Sequence, residues 1–152
     1  MLGLQVGPGM RARLAPTLLV LCPLLAGGCG TAGTKLPVSE MTATTNSEGV
    51  QVVDVDVHSF YFKPSRIVVD AGTPVDITLH FKGFFVPHTF TCIDGDAGIS
   101  VSRGVGFMSF SRTKHALFTP TKAGEYEFFC HVDGHHEKKG MEGTLVVRPR
   151  RR

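Results

Sequence analysis

The chain of 152 residues contains no tryptophan and only two tyrosines, against eleven phenylalanines. A core built from this sequence therefore has to take its aromatic packing from phenylalanine. The chain also lacks repeats and long polar blocks, and charged residues make up only 19% of it. This length and composition indicate one compact domain with short ends, and they do not fit a disordered chain or a second full domain.

An excess of positive charge is also missing from the part of the chain that is expected to fold. Of the 16 basic residues, two lie at Arg11 and Arg13 and four lie near the C-terminus, which leaves 10 basic residues against 13 acidic ones. This balance does not support a nucleic-acid role. The four C-terminal arginines are Arg148, Arg150, Arg151 and Arg152. Residues 149–152 are predicted to form a short basic tail.

The chain has no apolar run that is long enough for a comfortable transmembrane helix. The stretch "LAPTLLVLCPLLAGG" follows Arg11 and Arg13, is broken by Pro16 and Pro23, and ends in small residues. A basic start, a short apolar run and a small-residue end are typical of a signal peptide. Residues 1–28 are therefore predicted to be a signal peptide of the lipoprotein type.

The end of this run, "LAGGC", resembles the bacterial lipobox, in which the chain is cut before a cysteine that receives lipid. The resemblance implies a lipid anchor on Cys29 and an exported cell-membrane lipoprotein that faces the periplasm or the extracellular side. The alternative is an ordinary secretory signal that is cut nearby, with Cys29 as a bystander. Residues 29–49 are rich in Thr, Ser and Gly and have no apolar period, so they are predicted to be a flexible tether.

Residues 50–148 carry the pattern of short β-strands. In "VVDVDVH" three valines, at 53, 55 and 57, alternate with polar residues, as in a half-buried strand. Similar runs follow, such as "RIVVD", "PVDITLHF" and "EYEFFC", and turn-like segments separate them. About seven or eight short strands in roughly 100 residues predict an all-β fold, an antiparallel Greek-key β-sandwich.

Strand parity predicts where two chemically active side chains lie. In "EYEFFC" the residues Phe128 and Cys130 share one face, and in "HTFTC" the residues His88, Phe90 and Cys92 do. Cys130 stands at the end of its strand and His88 at the start of its own. The two side chains are therefore expected to point inward and to meet at one pole of the sandwich.

The segment "CHVDGHHEKKGM" offers a thiolate, imidazoles and a thioether on one short loop. Copper that cycles between Cu(I) and Cu(II) suits two His and one Cys in a plane, with a weak axial Met. Cys130, a loop histidine and Met141 supply three of these ligands, and His88 is the candidate for the second imidazole. The pattern predicts one mononuclear copper ion.

Four segments together resemble the cupredoxins, the single-domain blue-copper carriers of the plastocyanin, azurin and rusticyanin type: "FYFKPSRIVVDAGTPVDITL", "VPHTF", "AGEYEFFC" and "GHHEKKGMEGTLVV". The resemblance implies His88, Cys130, one loop histidine and Met141 as copper ligands. The spacing from Cys130 favours His135, whereas the spacing back from Met141 fits His136 as the alternative.

A further difference concerns Thr89, which stands where many cupredoxins carry Asn. The hydrogen bond that usually ties together the two ligand loops is therefore expected to be altered.

Several other readings of the same residues are weaker. The copper loop also resembles that of multicopper oxidases, but the chain has no His-x-His pair for a trinuclear cluster, and Phe129 precedes the cysteine. A binuclear copper centre of the cytochrome oxidase type is excluded, because it needs two cysteines in this loop and the loop contains only Cys130. An exported protein could instead join Cys92 to Cys130 in a disulfide, but that pairing leaves His88 and the other proposed ligands without a role.

The favoured hypothesis is a blue-copper electron carrier between membrane-associated redox partners outside the cytoplasm, not an enzyme, and we expect a monomer. The alternative is an extracytoplasmic copper-binding protein for storage, delivery or resistance. The sequence names neither the electron donor nor the acceptor.

Overall fold

The computed structural model describes residues 3, 37–83 and 85–150. The predicted signal peptide with the exception of residue 3, the predicted lipidation site Cys29, residues 29–36 of the predicted tether and residues 151–152 of the tail lie outside the described residues. Within the described part of the chain, no helix has the length and apolar character needed to cross a membrane.

The chain folds into eleven strands, one turn of 3-10 helix at Gly95–Ala97 and one short α-helix, α1, at His135–Lys139. The strands are β1 (Glu40–Thr42), β2 (Thr44–Thr45), β3 (Gln51–His58), β4 (Tyr61–Lys63), β5 (Arg66–Asp70), β6 (Val75–Phe81), β7 (His88–Asp94), β8 (Ile99–Val105), β9 (Thr113–Phe118), β10 (Gly124–Phe129) and β11 (Glu142–Arg148).

Two sheets form the predicted sandwich. One sheet has six strands in the order β1-β5-β11-β10-β7-β8, and the other has the order β2-β3-β6-β9, with β4 paired to β3. The all-β sandwich is confirmed, and the eight strands of five residues or more agree with the predicted number. The sheets are mixed rather than purely antiparallel, because β1 and β11 both pair with β5 in parallel, and β3 pairs with β6 in parallel. Side-chain alternation is the same in both kinds of pairing, so the sequence pattern does not distinguish them.

The folded domain begins earlier than the sequence pattern indicates. Strands β1 and β2 lie within the predicted tether 29–49, and β1 pairs with β5 through Glu40 and Arg66. The predicted boundary at residue 50 is therefore too late for residues 40–45. Every residue of these two strands is exposed, so they lack the apolar alternation by which a half-buried strand is recognised.

The core lies between the sheets and is built from alternating inward residues. Val53, Val55 and Val57 of β3 are buried, as the alternation predicts. Among its aromatic residues, Phe62 packs edge-on against Phe90 and Phe128, and the rings of Phe90 and Phe128 stack with their centroids 4.8 Å apart. Phe90 and Phe128 stand two residues from His88 and Cys130 on the same strand faces. These rings therefore form the apolar floor beneath the two candidate ligands.

Gly143 fixes how closely β11 approaches this floor. It pairs with Phe128 across the β10–β11 ladder, and a Cβ at residue 143 would overlap the Phe128 ring and come within 2.6 Å of the Ser65 carbonyl oxygen. Because β11 starts directly after Met141, this close approach also sets the position of the methionine.

We expect Gly143→Ala to lower the free energy of unfolding by about 1–3 kcal/mol, because the added methyl group overpacks the contact with Phe128. Urea denaturation of the purified protein measures the change. Gly106→Ala is the matched control, since a Cβ at residue 106 meets nothing within 4 Å, and we expect a change within about 0.5 kcal/mol there. Equal effects of the two substitutions would contradict the overpacking argument.

Candidate metal centre

The four predicted ligands come from the ends of three elements at one pole of the sandwich. His88 is the first residue of β7, Cys130 directly follows β10, and His135 is the first residue of α1. Met141 lies between α1 and β11. Strand ends and loops thus bring together residues that are as far as 53 positions apart in the sequence.

Three of the four side chains converge on a common point. One nitrogen of His88, the Sγ of Cys130 and one nitrogen of His135 all lie within 4.8 Å of one another. The Cys130 Sγ is 3.5 Å from His135 Nδ1, and the ring centroids of His88 and His135 are 5.0 Å apart. His88 and Cys130 have no exposed surface. The structure therefore assembles two imidazoles and one thiol in a site from which water is largely excluded.

His88 carries the clearest signature of a ligand. Both of its ring nitrogens are buried, and neither has a hydrogen-bond partner among the described residues. A buried polar atom without a partner is costly and uncommon in a folded protein. Burial, helped by His135 and Arg112, lowers the pKa of His88 to about 4. The ring is therefore neutral at neutral pH and holds a lone pair that a cation can accept.

Met141 is held at the same site by the backbone. Its side chain is fully buried. Its carbonyl accepts a hydrogen bond of 3.0 Å from the Cys130 N–H, and its own N–H donates one of 3.0 Å to the His135 carbonyl. The loop that carries three of the predicted ligands is thus closed by hydrogen bonds between the ligand residues themselves.

Thr89 ties the two ligand segments together. Its backbone N–H donates to the Cys130 Sγ at 3.3 Å, and its Oγ1 accepts from the His131 N–H at 2.8 Å. The resemblance to cupredoxins predicts an altered hydrogen bond between these segments, because threonine stands in place of the usual Asn. In the structure the shorter Thr89 hydroxyl joins the two ligand segments through its hydrogen bond with the His131 N–H. The N–H···S contact also lies where it withdraws electron density from a thiolate.

His136 lies apart from this group, although it follows His135 directly. Its ring stacks on Phe129 with the centroids 4.9 Å apart, and its Nε2 faces the carboxylates of Glu127 and Glu142. Of the two alternatives in the sequence, it is His135 whose side chain the structure places beside Cys130 and His88.

The second cysteine of the domain does not reach the site. Cys92 and Cys130 are both free thiols, so the disulfide alternative is not formed. Cys92 is 1% exposed, and burial raises the pKa of its thiol to about 12. A thiol in such surroundings is an inert part of the core.

Phe60 is a contact of the site that the sequence analysis missed. Its ring is edge-on to both imidazoles, with centroids 5.0 Å from His135 and 6.1 Å from His88. Lys139 Nζ lies 5.5 Å from the centre of the same ring. Phe60 sits in the turn between β3 and β4 with a positive φ of 70°, and strand periodicity gives no information about a turn. The aromatic run "FYF" was the available signal.

These side chains provide one thiol, two imidazoles and a thioether, of which His88, Cys130 and Met141 are fully buried and His135 is partly buried. The buried, unpaired nitrogens of His88 and the soft sulfur donors fit copper better than a hard cation that prefers oxygen ligands. The fold and the donor set together define a β-sandwich with a candidate metal site at its pole.

The profile of the cupredoxin-like domain matches residues 38–147, so the chain belongs to this family. Its fold implies copper binding, and the resemblance seen in the sequence is confirmed. The matched range also starts close to β1, in agreement with the early start of the domain. No curated protein matches the chain significantly.

Solved structures of this fold come from proteins with different described roles. Reduced auracyanin from Roseiflexus castenholzii has a TM-score of 0.56 and 16% identity, over 70% of this chain and 99% of that one. Auracyanin A, a "blue" copper protein from Chloroflexus aurantiacus, has a TM-score of 0.52 and 21% identity, over 66% of this chain and 100% of that one. The metal-binding domain of the Cu(I)-exporting P-type ATPase of Streptococcus pneumoniae D39 has a TM-score of 0.53 and 20% identity, over 74% of this chain and 98% of that one. At these identities the likeness shows the fold.

We expect Phe60→Ala to lower the free energy of unfolding by about 1–3 kcal/mol, because the ring that packs on both imidazoles is lost. Phe60→Gly removes the same ring and also the strain of a positive φ, so it should be more stable than the Ala variant by about 0.5–1 kcal/mol. Urea denaturation compares the two variants.

The neighbouring Ser59 provides the control, since its φ is not positive. There the order should be reversed, with Ser59→Ala more stable than Ser59→Gly. A Phe60→Ala variant as stable as Phe60→Gly would show that the turn stores no backbone strain.

Proposed function

We propose that this protein is a blue-copper electron carrier that cycles one copper ion between Cu(I) and Cu(II). The observation that supports this proposal most directly is the buried His88 ring, whose two unpaired nitrogens lie beside the Cys130 thiol and His135. A site for one-electron transfer benefits from such burial, because little water has to rearrange when the charge of the site changes. With its proposed ligands the site needs no substrate on the metal, so we propose a carrier and not an enzyme.

In this proposal each side chain has a distinct part. Cys130, His88, His135 and Met141 would hold the copper ion through a thiolate, two imidazoles and a thioether. Bound copper would supply the one-electron redox chemistry. The Thr89 N–H stabilises the thiolate of Cys130 at 3.3 Å. The hydrogen bonds that join Met141 to Cys130 and His135 would keep the ligand positions similar in both oxidation states of the metal, which would lower the cost of moving an electron.

Exposed apolar side chains near the same pole favour docking to protein redox partners. Phe85 precedes His88 by three residues, and its ring centroid lies 6.0 Å from that of Phe107. Phe107 follows Val105, which pairs directly with His88. Phe107, Met108 and Phe110 are 63%, 48% and 95% exposed. We propose that this patch excludes water around His88 when a donor or acceptor binds.

Copper storage, delivery or resistance is the second candidate. Structures of the same fold include the metal-binding domain of a Cu(I) exporter and a protein described as a copper binding protein in the apo form, the latter with a TM-score of 0.52 and 20% identity over 72% of this chain and 97% of that one. The same donor set would bind Cu(I) without redox turnover. The burial of His88 and Cys130 favours the carrier, because a ligand-exchange partner needs access to the metal.

We further propose that the protein is an exported monomer that is anchored to the membrane through lipid on Cys29. The "LAGGC" stretch after a signal-like apolar run supports this step. Two acyl chains give stable anchoring, whereas one chain gives only weak and reversible binding. The domain would then remain on the periplasmic or extracellular side, close to membrane-associated redox partners.

We expect the full-length exported protein to develop an intense blue thiolate-to-copper absorption band with narrow copper hyperfine splitting when Cu(II) is added. Cys130→Ser should lose the band, because the covalent thiolate ligand is gone. Cys92→Ala is the matched control and should keep it, since Cys92 is a buried thiol that is not part of the group formed by His88, Cys130 and His135. Visible absorption and electron paramagnetic resonance measure both. A colourless wild-type protein would overturn the copper-thiolate centre.

The copper-loaded protein also separates the two candidate functions. Rapid electron self-exchange, measured by NMR line broadening, with no loss of copper to an acceptor protein supports the carrier. Slow self-exchange together with copper transfer supports delivery.

We expect Cys29→Ser to move the protein from the membrane fraction to the soluble fraction, because the lipid attachment site is removed. Cys22→Ser is the control, since residue 22 lies within the predicted signal peptide and should not affect the anchor. Fractionation and mass spectrometry of the N-terminal peptide measure the change. A mature chain that starts elsewhere than Cys29 and carries no lipid would contradict the anchor.

A further inference from the structure

A second group of potential metal ligands lies outside the proposed copper site, on β10, α1 and β11. It consists of Glu127, His136 and Glu142, whose ligand atoms all lie within 4.8 Å of one another. His136 Nε2 is 3.1 Å from Glu142 Oε2 and 3.4 Å from Glu127 Oε1. We name these three residues the outer cluster. Its members are partly or well exposed, so ions in the solvent can reach it.

The sheet holds the two carboxylates in register. Phe129 pairs directly with Glu142 across the β10–β11 ladder, and Glu127 precedes Phe129 by two residues on the same strand face. Glu127 and Glu142 are therefore diagonal neighbours on one side of the sheet. The His136 ring is held above this face by its stacking on Phe129, with an interplanar angle of 28°. Two ligands thus stand on paired strands, and the third is oriented by an aromatic contact.

The chemistry of this arrangement favours a cation. In either protonation state, Nε2 of an imidazole carries at most one hydrogen, and that hydrogen can point well at only one of the two carboxylates. The two carboxylate oxygens also repel each other at this separation. A divalent ion between the three groups would accept one lone pair from the imidazole nitrogen and one from each carboxylate.

We propose that the outer cluster binds a borderline divalent cation, of which Zn²⁺ and Cu²⁺ are the natural examples, through one imidazole and two carboxylates. This ligand set differs from the inner site because it has no sulfur, and it therefore suits divalent ions rather than Cu(I). Water would complete the coordination at this exposed position.

Binding at the outer cluster acts on the loop that forms the inner site. His136 is the second residue of α1, which begins at His135, and Glu142 directly follows Met141. A cation would join α1 to β10 and β11 and so hold the segment between them in place. The consequence for copper affinity rests on the proposed function, whereas cation binding itself does not.

The test is a calorimetric titration of Zn²⁺ into the Cys130→Ser protein, in which the thiolate of the inner site is absent. We expect one equivalent of Zn²⁺ that His136→Gln and, separately, Glu127→Gln weaken at least about tenfold, since each removes a ligand. His131→Gln is the matched control, because His131 is an exposed loop histidine outside the cluster, and it should leave this equivalent unchanged. Zn²⁺ should also raise the melting temperature, and less so in the His136→Gln variant.

Zn²⁺ binding that is insensitive to both His136→Gln and Glu127→Gln, or that falls equally with His131→Gln, would overturn the outer site. Failure of the proposed function is seen separately, because it appears as a missing blue band in the wild-type protein. With Cys130 present, His136→Gln should keep that band, which also shows that the variant is folded. If His136→Gln does not fold, Glu127→Gln alone decides the result.

Discussion

The structure depends on one constraint, which is that a thiol and an imidazole from two strands that are distant in sequence but paired in the sheet must both end on the inner side of the same pole. Cys130 and His88 meet this constraint because each stands two residues from a core phenylalanine, Phe128 or Phe90. The pairing of β10 with β7 and the stacking of these two rings, with their centroids 4.8 Å apart, hold the two strands that carry the ligands side by side. Core packing and ligand position are therefore coupled, so a substitution that alters one also alters the other.

The backbone then completes what the strands begin. The hydrogen bonds from Cys130 to Met141 and from Met141 to His135 close the loop on itself, and the Thr89 hydroxyl accepts from His131 to join it to β7. These bonds satisfy main-chain groups that a buried loop would otherwise leave without partners. The two ring nitrogens of His88, by contrast, have no hydrogen-bond partner among the described residues. A cation bound by one of these nitrogens explains this contrast better than loose packing does.

Sequence alone was sufficient for the parts of the molecule that period-2 alternation controls. The inward valines of β3, the sandwich itself and the inward positions of His88 and Cys130 all follow from strand parity. Parity contains no information about the direction of a paired strand, so the parallel pairings of β5 and β6 were not predicted. It is equally silent on β1 and β2, which are exposed on all residues, and on Phe60, which lies in a turn.

The choice between His135 and His136 shows where counting residues stops being enough. Counting forward from Cys130 favours His135 as the ligand, whereas counting back from Met141 favours His136. The two counts disagree because five residues, rather than four, separate His135 from Met141. The structure places both residues in α1, with a left-handed glycine at each end, Gly134 and Gly140. Successive residues of a helix point about 100° apart, so the two imidazoles diverge. His135 turns towards the thiol, while His136 turns towards the carboxylates of the sheet. Two adjacent histidines of one helical turn thus lie in different environments, one buried and containing sulfur, the other exposed and containing oxygen. Because the ligand atoms differ, the metals that suit the two environments differ as well.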